Sequence, residues 1–264
     1  VMAGGLWIHK TARCGGVDGV IKKAVVADVD RIILKTRDGR SGHNQADAAG
    51  LVSQARECGF ELWIWAWCYA TNDPASQGYI EAQATRINDD ARRLGAAGIV
   101  LNLEAPWSAA PNHRWASVLR EQFGNKPTRK IELKYRCEDL ITLIKMENPG
   151  RPVCVSTFPI PSAHALPFAT MAEFADQIWP QVYFSGMGYN RKIAKSVEQW
   201  TKLGAKSLHY SGPGWLGGTK QKAMATALRE ELTPDAQIDW WVADKMDSDD
   251  LESAAAIGQA GECK

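Results

Sequence analysis

The chain of 264 residues lacks the features that would place it in several large classes of protein. Its 31 basic and 30 acidic side chains nearly cancel, and a net charge of +1 gives no reason to expect binding to nucleic acid or to a membrane surface. No apolar run reaches the length of about 18 residues that a transmembrane helix needs. No basic segment followed by a long apolar stretch marks a leader, so we expect synthesis in the cytoplasm without an export signal.

The sequence also lacks the motifs of metal and dinucleotide sites. Its six cysteines contain no Cys-x-x-Cys pair, so we expect no metal site, no cofactor and mostly free thiols, as in a reducing compartment. Cys68 and Cys154 fall in predicted strands, where a free cysteine acts as a small hydrophobic residue. No Gly-x-Gly-x-x-Gly follows the first strand, which disfavours an open dinucleotide-binding sheet.

What the sequence does contain is a steady alternation of strand and helix patterns. The predicted strands are residues 6–9, 31–35, 61–69, 98–104, 152–158, 177–184, 207–211 and 238–244. The predicted helices are residues 17–28, 44–58, 73–94, 130–147, 171–175, 192–203, 220–231 and 249–257. Asn44 and Asp73 are predicted N-caps, with Pro74 at a first helical position. The eight strand–helix pairs predict an α/β protein in which residues 1–264 form a single (β/α)8 TIM barrel. The chain length is also close to the roughly 250 residues that are typical of this fold.

The fourth predicted strand carries the most informative residues. It reads Gly-Ile-Val-Leu-Asn-Leu-Glu-Ala-Pro over residues 98–106 and ends on the carboxylate of Glu104. An unpaired buried charge is costly, whereas the C-terminal mouth of a barrel is where active sites gather. Asn102 and Glu104 are two residues apart and share a face, so we expect both at the mouth. The alternative is a structural Glu104 that pairs with an arginine or caps the following helix.

The same alternation sorts the other strands. A charged side chain inside a barrel strand has to point to the axis or the mouth, because helices cover the outer face. On this basis the second strand points Ile33, Lys35 and Arg37 inward, and the eighth points Trp240, Val242 and Asp244 inward. The fifth strand offers Ser156. We expect these side chains to converge at one end of the barrel: His9, Lys35, Asn102, Glu104, Gln181, Tyr183, His209 and Asp244. The third strand carries Trp67 and Tyr69 on one face, which is either the inner or the outer one. The residues expected to bind substrate are His9, Lys35, Trp67, Tyr69, Asn102, Gln181 and His209.

The loops above the mouth and the aromatic content indicate a carbohydrate ligand. The chain has 11 tryptophans, and flat aromatic faces stack on the apolar faces of pyranose rings. Residues 105–129, 185–191 and 212–219 form long or glycine-rich loops that carry aromatic residues, and long loops tend to carry function. We expect Trp107, Trp115 and Trp215 above the mouth, with Trp107 and Trp215 binding substrate.

A carboxylic acid beside a tyrosine and amides fits cleavage of a glycosidic bond. Glu104 is the candidate proton donor, which requires a raised pKa. Asp244, or less favourably Asp38, would be the nucleophile or base. Alternatively, the N-acetyl group of the substrate attacks, and Tyr183, Gln181 or Asn102 orients it.

These motifs resemble those of known families. The order of strands and the end of the fourth strand resemble the barrel lysozymes of glycoside hydrolase family 25 and the related chitinase-like barrels of family 18. In family 25 the fourth strand ends Asp-x-Glu, and here it is Asn102-Leu103-Glu104. His9 stands where that family has an aspartate, and Gln181-Val182-Tyr183 resembles the tyrosine segment of family 18. The resemblance implies a glycosidase-like barrel, and the two departures leave its hydrolytic chemistry open.

Three functions therefore stay in view. The first is a monomeric glycoside hydrolase that acts on an N-acetylated polysaccharide such as peptidoglycan and reaches the cell wall after release, as a phage-encoded enzyme would. The second is a carbohydrate-binding barrel without catalysis. The third is another enzyme class, in which Lys35 forms a Schiff base or the glycine-rich segment 212–219 binds phosphate.

Overall fold

The computed structural model describes residues 4–71, 74–76, 78–108, 130–183, 189–232 and 238–259. Strands and helices alternate along these residues. The strands are β1 (Gly5–Ile8), β2 (Arg31–Asp38), β3 (Ser41–Gly42), β4 (Glu61–Trp67), β5 (Gly98–Asn102), β6 (Val153–Thr157), β7 (Gln177–Pro180), β8 (Tyr210–Pro213) and β9 (Ile238–Trp241). The helices are α1 (Gly16–Val26), α2 (Gln45–Glu57), α3 (Ile80–Leu94), α4 (Lys130–Glu147), α5 (Phe168–Phe174), α6 (Tyr189–Lys202), α7 (Gly218–Glu231) and α8 (Ser248–Gln259).

The sheet is a parallel barrel, which confirms the predicted TIM-barrel fold. Its strands follow the order β7-β6-β5-β4-β2-β1-β9-β8, and the short β3 pairs antiparallel to β2 beside this path. Parallel bridges from Ile178 to Leu208 and from Gln181 to Ser211 join the two ends of the series. Eight strands closed in this way bring all their C-terminal ends to one mouth.

Tryptophan rings fill the interior of the barrel. The inner cluster contains Trp7, Ile33, Trp63, Trp65, Val100, Cys154, Trp179 and Val242, with Trp67 and Trp241 packed against it. The ring of Trp7 lies edge-on to Trp65, Trp179 and Trp241, with centroid distances of 5.5, 5.9 and 5.2 Å. Aliphatic residues on the opposite faces of the strands pack beneath the helices. Much of the tryptophan content therefore serves the core rather than a ligand.

Two predicted side-chain directions are wrong. A register shift between Lys35 and Arg37 interrupts the alternation of β2, so Arg37 points away from the axis and binds Asp90 of α3 through Nε at 2.6 Å. In β9, Trp240 belongs to the outer cluster, whereas Trp241 packs on the inner one. The first error comes from a bulge, which breaks the period of two. In the second case the alternation does not hold along the whole predicted strand, since Trp241 and Val242 both pack in the inner cluster. The inward direction predicted for Val242 is therefore confirmed.

Two predicted helix starts also need correction. Asn44 stands at the N-terminus of α2, but its side chain makes no capping hydrogen bond. Instead its Nδ2 donates to the carbonyl oxygens of His9 and Lys35, at 2.9 and 3.0 Å, and ties the ends of β1 and β2 together. Helix α3 begins at Ile80 rather than at residue 73, and Pro74 lies in a turn. Asp73 itself is outside the described residues.

A buried ionic cluster closes the N-terminal end of the barrel. Asp239 is fully buried, accepts a hydrogen bond from the backbone N–H of Gly5 at 2.5 Å, and lies 2.7 Å from Nε2 of His209. Arg31 approaches the same carboxylate at 3.9 Å. These partners hold the pKa of Asp239 below its usual value, against the effect of burial. The cluster joins the first residues of β1 and β2 to β9.

The five described cysteines, Cys14, Cys58, Cys68, Cys137 and Cys154, are free thiols, as predicted. Cys68 and Cys154 are buried, and burial raises the pKa of both thiols. Within the described ranges, no helix combines the length and the apolar character that a membrane span requires.

Replacing Asp239 by asparagine should destabilise the fold by about 3 kcal/mol at pH 7, because the change leaves Arg31 and His209 without their buried carboxylate. The carboxylate has a lowered pKa in the folded chain, so its contribution is present above the unfolded pKa of about 4 and is lost as the pH falls through the folded value. Urea unfolding of the parent and of Asp239→Asn should therefore differ at pH 7 and converge in acid. Glu173→Gln, the same change at an exposed position, is the control; an equal effect of both would contradict the assignment.

Candidate functional site

An amide network holds the carboxylate at the mouth. Asn102 is the last residue of β5, Ser156 lies on β6, and Gln181 directly follows β7. Nε2 of Gln181 donates to Oδ1 of Asn102 at 2.8 Å, to Oε1 of Glu104 at 2.8 Å and to Oγ of Ser156 at 3.0 Å. An amide nitrogen carries only two hydrogens, so three acceptors share them. The structure thus brings together four of the residues that the strand alternation predicts at the mouth, namely Asn102, Glu104, Ser156 and Gln181.

Glu104 has the electrostatic surroundings of a general acid. Burial raises the pKa of its carboxyl, and hydrogen bonds from Gln181 and Asn102 oppose that rise only in part. Among the described residues Glu104 forms no ion pair, and its side chain makes no capping bond to the short turn that follows. Neither structural role considered for Glu104 is therefore seen. A carboxyl that serves as a proton donor needs a raised pKa, and burial shifts the pKa of Glu104 in that direction.

Aromatic side chains form one wall of the mouth. The ring of Tyr183 lies 5.9 Å from that of Trp215 and 6.1 Å from that of Trp241, to which it is nearly parallel. Burial and the charge of Glu104 raise the pKa of the Tyr183 phenol, so its hydroxyl stays protonated and can donate. Lys245 places its ammonium 4.8 Å from the Trp215 ring centroid. Trp67 is half-buried at the end of β4, where it is paired with Asp38 of β2, and so lies apart from this wall. Trp241 was not predicted at the mouth, because the alternation assigned the inner face of this strand to Trp240 instead.

The charged side chains of Lys35 and Asp38 on β2, with Tyr69 just after β4, form the other wall. Lys35 donates from Nζ to Oδ2 of Asp38 at 2.8 Å, and the Tyr69 hydroxyl donates to Oδ1 of the same carboxylate at 2.7 Å. These two hydrogen bonds lower the pKa of Asp38 despite burial, so this carboxylate is ionised. The ammonium of Lys35 also lies 5.0 Å from the centroid of Trp65. The Nζ atom of Lys35 is engaged in an ion pair with Asp38, which argues against a Schiff-base nucleophile.

Two histidines lie beside this ion pair. The rings of His9 and His43 are 5.2 Å apart. Burial and the nearby charge of Lys35 lower the pKa of each imidazole to about 4, so both are neutral at pH 7. His43 was not predicted, because it follows the two-residue strand β3 in a loop without a periodic pattern.

Asp244 lies near the mouth but offers little to a substrate. Its side chain is only 1% exposed, 4.0 Å from Nδ1 of His9 and 3.9 Å from the guanidinium of Arg13. Its Oδ1 is buried without a hydrogen-bond partner among the described residues. In this structure the carboxylate lies beneath His9, so it does not present a nucleophilic oxygen to the mouth.

Two predicted substrate-binding residues lie elsewhere. Trp107 is fully buried in the outer core and donates from Nε1 to the carbonyl oxygen of Cys68 at 3.0 Å, so its ring has no face free to stack on a sugar. His209 precedes β8 and belongs to the Asp239 cluster at the opposite end of the barrel. Trp115 and residues 184–188 of the loop after the sixth predicted strand fall outside the described residues.

The glycine-rich segment after β8 does not form an open phosphate cradle. The N–H of Gly217 donates to Oδ1 of Asp250 at 3.1 Å, so a carboxylate of the protein already occupies the position that a bound phosphate would take. A Cβ on Gly214 would come within 2.4 Å of the Met246 sulfur, which shows how closely this backbone packs. In the part of the chain that the structure describes, no group of three or more His, Cys, Asp or Glu side chains could hold a metal ion.

Comparison with known proteins gives a fold likeness. The chain matches no family model and no curated sequence. It is similar in structure to a chitinase from Chromobacterium violaceum, with a TM-score of 0.65 at 10% identity over 98% of this chain and 99% of that one. It is also similar to GH5_18 from Streptomyces cattleya in complex with GlcNAc (TM-score 0.64, 10% identity, covering 100% and 82%). The modular autolysin LytC from Streptococcus pneumoniae matches with a TM-score of 0.51 at 12% identity, over 70% and 38%. The predicted resemblance to glycoside hydrolase barrels is confirmed for the fold.

Replacing Gln181 by leucine should raise the pKa of Glu104 further, because the substitution removes a hydrogen bond that favours the charged carboxylate. Carbon-13 NMR titration of the glutamate side-chain carboxyls, assigned with Glu104→Gln, measures this shift. Gln54→Leu removes an amide that contacts Asp18 on the outside of the barrel and should leave the titration of Glu104 unchanged. An unaltered Glu104 titration in Gln181→Leu would show that the amide does not control its charge.

Proposed function

We propose that the chain is a glycoside hydrolase that acts on an N-acetylated polysaccharide, with Glu104 as the general acid. The observation that carries this proposal is the environment of Glu104, a carboxyl at the barrel mouth whose pKa is raised by burial and which is hydrogen-bonded to amides rather than to a cation. Glycoside hydrolysis needs such a group to protonate the leaving oxygen. Trp67, Tyr183 and Trp241 supply aromatic faces on which a pyranose ring can stack.

The second reacting group is best supplied by the substrate. Asp244 is buried, whereas attack by an N-acetyl oxygen needs no nucleophile from the enzyme. In this route Glu104 gives its proton to the glycosidic oxygen as the acetamido oxygen bonds to the anomeric carbon and the bond to the leaving sugar breaks. Water then attacks the anomeric carbon and breaks its bond to the acetamido oxygen. The Glu104 carboxylate takes up the proton that this water loses.

The amides and the phenol at the mouth would orient the acetamido group. Gln181 donates to the oxygen of Asn102, which fixes the rotation of that amide and leaves its nitrogen as the donor. The Tyr183 hydroxyl stays protonated and is available to donate to the acetamido oxygen. An asparagine thus takes the position of the family aspartate as an orienting group and not as a base.

The structural comparisons support the class of substrate. One similar barrel is a chitinase, another was solved with GlcNAc, and the autolysin has also been solved with a synthetic peptidoglycan ligand. Chitin-like polymers and peptidoglycan share the N-acetyl group that the proposed mechanism uses. For a cell-wall substrate we propose action after release from the cytoplasm, as a monomer.

Glu104→Gln keeps the shape of the side chain but has no acidic proton. We expect the release of reducing ends from chitin oligosaccharides or peptidoglycan to fall by about 10²- to 10⁴-fold, the range that general acid catalysis contributes. In the parent, the rate should decline as the pH rises above the raised pKa of Glu104, because the acid form is lost. Glu138→Gln, on α4, is the matched control and should retain the parent rate.

If the parent releases no reducing ends while the parent and Glu104→Gln bind oligosaccharides equally, the chain is a carbohydrate-binding barrel without catalysis. That outcome would overturn the hydrolase proposal.

Removing the N-acetyl groups of the substrate tests the proposed nucleophile. A fully deacetylated glucosamine oligomer should be cleaved at least about 10²-fold more slowly than its N-acetylated counterpart, since the attacking oxygen is gone. Reducing-end release from the two oligomers, matched in length, measures the ratio. Comparable rates would instead point to an enzyme carboxylate, and Asp38→Asn would then identify whether the ionised Asp38 serves as the base.

A further inference from the structure

The charged wall of the mouth contains a buried ammonium with spare donors. The side chain of Lys35 is 4% exposed, and among the described residues it donates one hydrogen bond, to Asp38. An ammonium carries three N–H donors, and buried donors are normally satisfied. The Trp65 ring beside it offers only its π face. Among the described residues, the three N–H donors of Lys35 therefore share one side-chain acceptor, Asp38.

The surroundings of Lys35 add further polar groups that can donate to an anion. His9 is 31% exposed on its side chain, and Nδ1 of His43 is buried with no hydrogen-bond partner among the described residues. Arg13 is 61% exposed and reaches in from the turn after β1. The two hydrogen bonds from Asn44 to the carbonyl oxygens of His9 and Lys35 hold the backbones of these two residues at a fixed distance from each other.

The balance of charge in this wall is positive. Lys35, Lys10 and Arg13 act on His9 in the direction that disfavours its protonation, and Asp38 acts in the opposite direction. Asp244 lies 4.0 Å from His9 beneath the surface. A site with spare buried donors and an excess of positive charge is complementary to an anion.

We infer that the floor formed by His9, Lys35 and His43, with Arg13 at its edge, binds a carboxylate carried by a sugar of the substrate. This inference rests on the proposed binding of a carbohydrate at the mouth, but not on its hydrolysis. The ligand is thus an acidic glycan, with the carboxylate either on the ring, as in a hexuronic acid, or on a lactyl ether, as in muramic acid. The aromatic wall on the opposite side would hold the neutral N-acetylated residue.

The binding experiment uses the Glu104→Gln protein so that no substrate is consumed. Three tetrasaccharide probes of equal length are titrated by calorimetry: neutral chitotetraose, a tetramer alternating N-acetylglucosamine and N-acetylmuramic acid, and a hyaluronan tetramer. We expect at least one of the two acidic probes to bind about tenfold more tightly than chitotetraose, the ratio that one charge-assisted hydrogen bond supplies. The tighter of the two identifies the position of the carboxylate.

Variants in the floor locate the effect. Lys35→Gln should reduce the preference for the acidic probe to less than about twofold, and Arg13→Gln should reduce it by about threefold. Arg13 is largely exposed, so its variant tests the floor even if the change at Lys35 disturbs folding. Lys22→Gln removes the same charge from the exposed face of α1 and should leave the preference unchanged.

Proton uptake provides a second readout. A carboxylate beside His9 and His43 favours their protonated forms, so acidic probes should bind with uptake of protons and more tightly at pH 5 than at pH 8. The groups that face these imidazoles are Lys35, Lys10, Arg13, Asp38 and Asp244. Equal affinity for all three probes, or a preference that survives in both floor variants, would overturn the inference. If the parent hydrolyses no substrate but still binds an acidic probe more tightly than chitotetraose, only the proposed catalysis is overturned.

Discussion

The packing of tryptophan rings along the barrel axis is the constraint on which the rest of the structure depends. Trp7 contacts Trp65, Trp179 and Trp241, and each of these belongs to a different strand. Interiors pack at high density, so these large rings fill the axis of the barrel below the mouth. The polar side chains of the site lie directly above this tryptophan cluster. Its low polarity explains why burial dominates the pKa of Glu104.

The mouth has two chemically different sides that suit different parts of one ligand. On one side Gln181 links Asn102, Ser156 and Glu104 in a network of neutral donors and acceptors. On the other side Lys35 and Asp38 form an ion pair beside two neutral imidazoles. An acid that must stay protonated is placed away from the cations that would ionise it, because a nearby positive charge lowers a carboxyl pKa. The separation of charged and neutral groups is thus consistent with a proton donor on one side and ligand recognition on the other.

The polar residues of the barrel show how burial decides between structure and function. Asp239, His209 and Arg31 satisfy one another at the N-terminal end, and such a closed ionic cluster has nothing left to offer a ligand. Among the described residues, the three donors of Lys35 share one side-chain acceptor and Nδ1 of His43 has no partner, and burial raises the pKa of the Glu104 carboxyl. Asp244 is an intermediate case, since it is buried beneath His9 with one oxygen unpaired.

The sequence by itself determined the barrel, the strand that Glu104 follows, and the amides beside this residue, because period-two alternation and strand–helix succession are local patterns. It did not determine side-chain direction in β2 and β9, where a bulge moves Arg37 outward and two adjacent tryptophans hide the parity. Only the tertiary structure decided which end of the barrel a residue occupies. His209 joins Asp239 at the closed end, and Trp107 turns into the core, because the pairing of a buried charge and the burial of a large ring depend on neighbours distant in sequence.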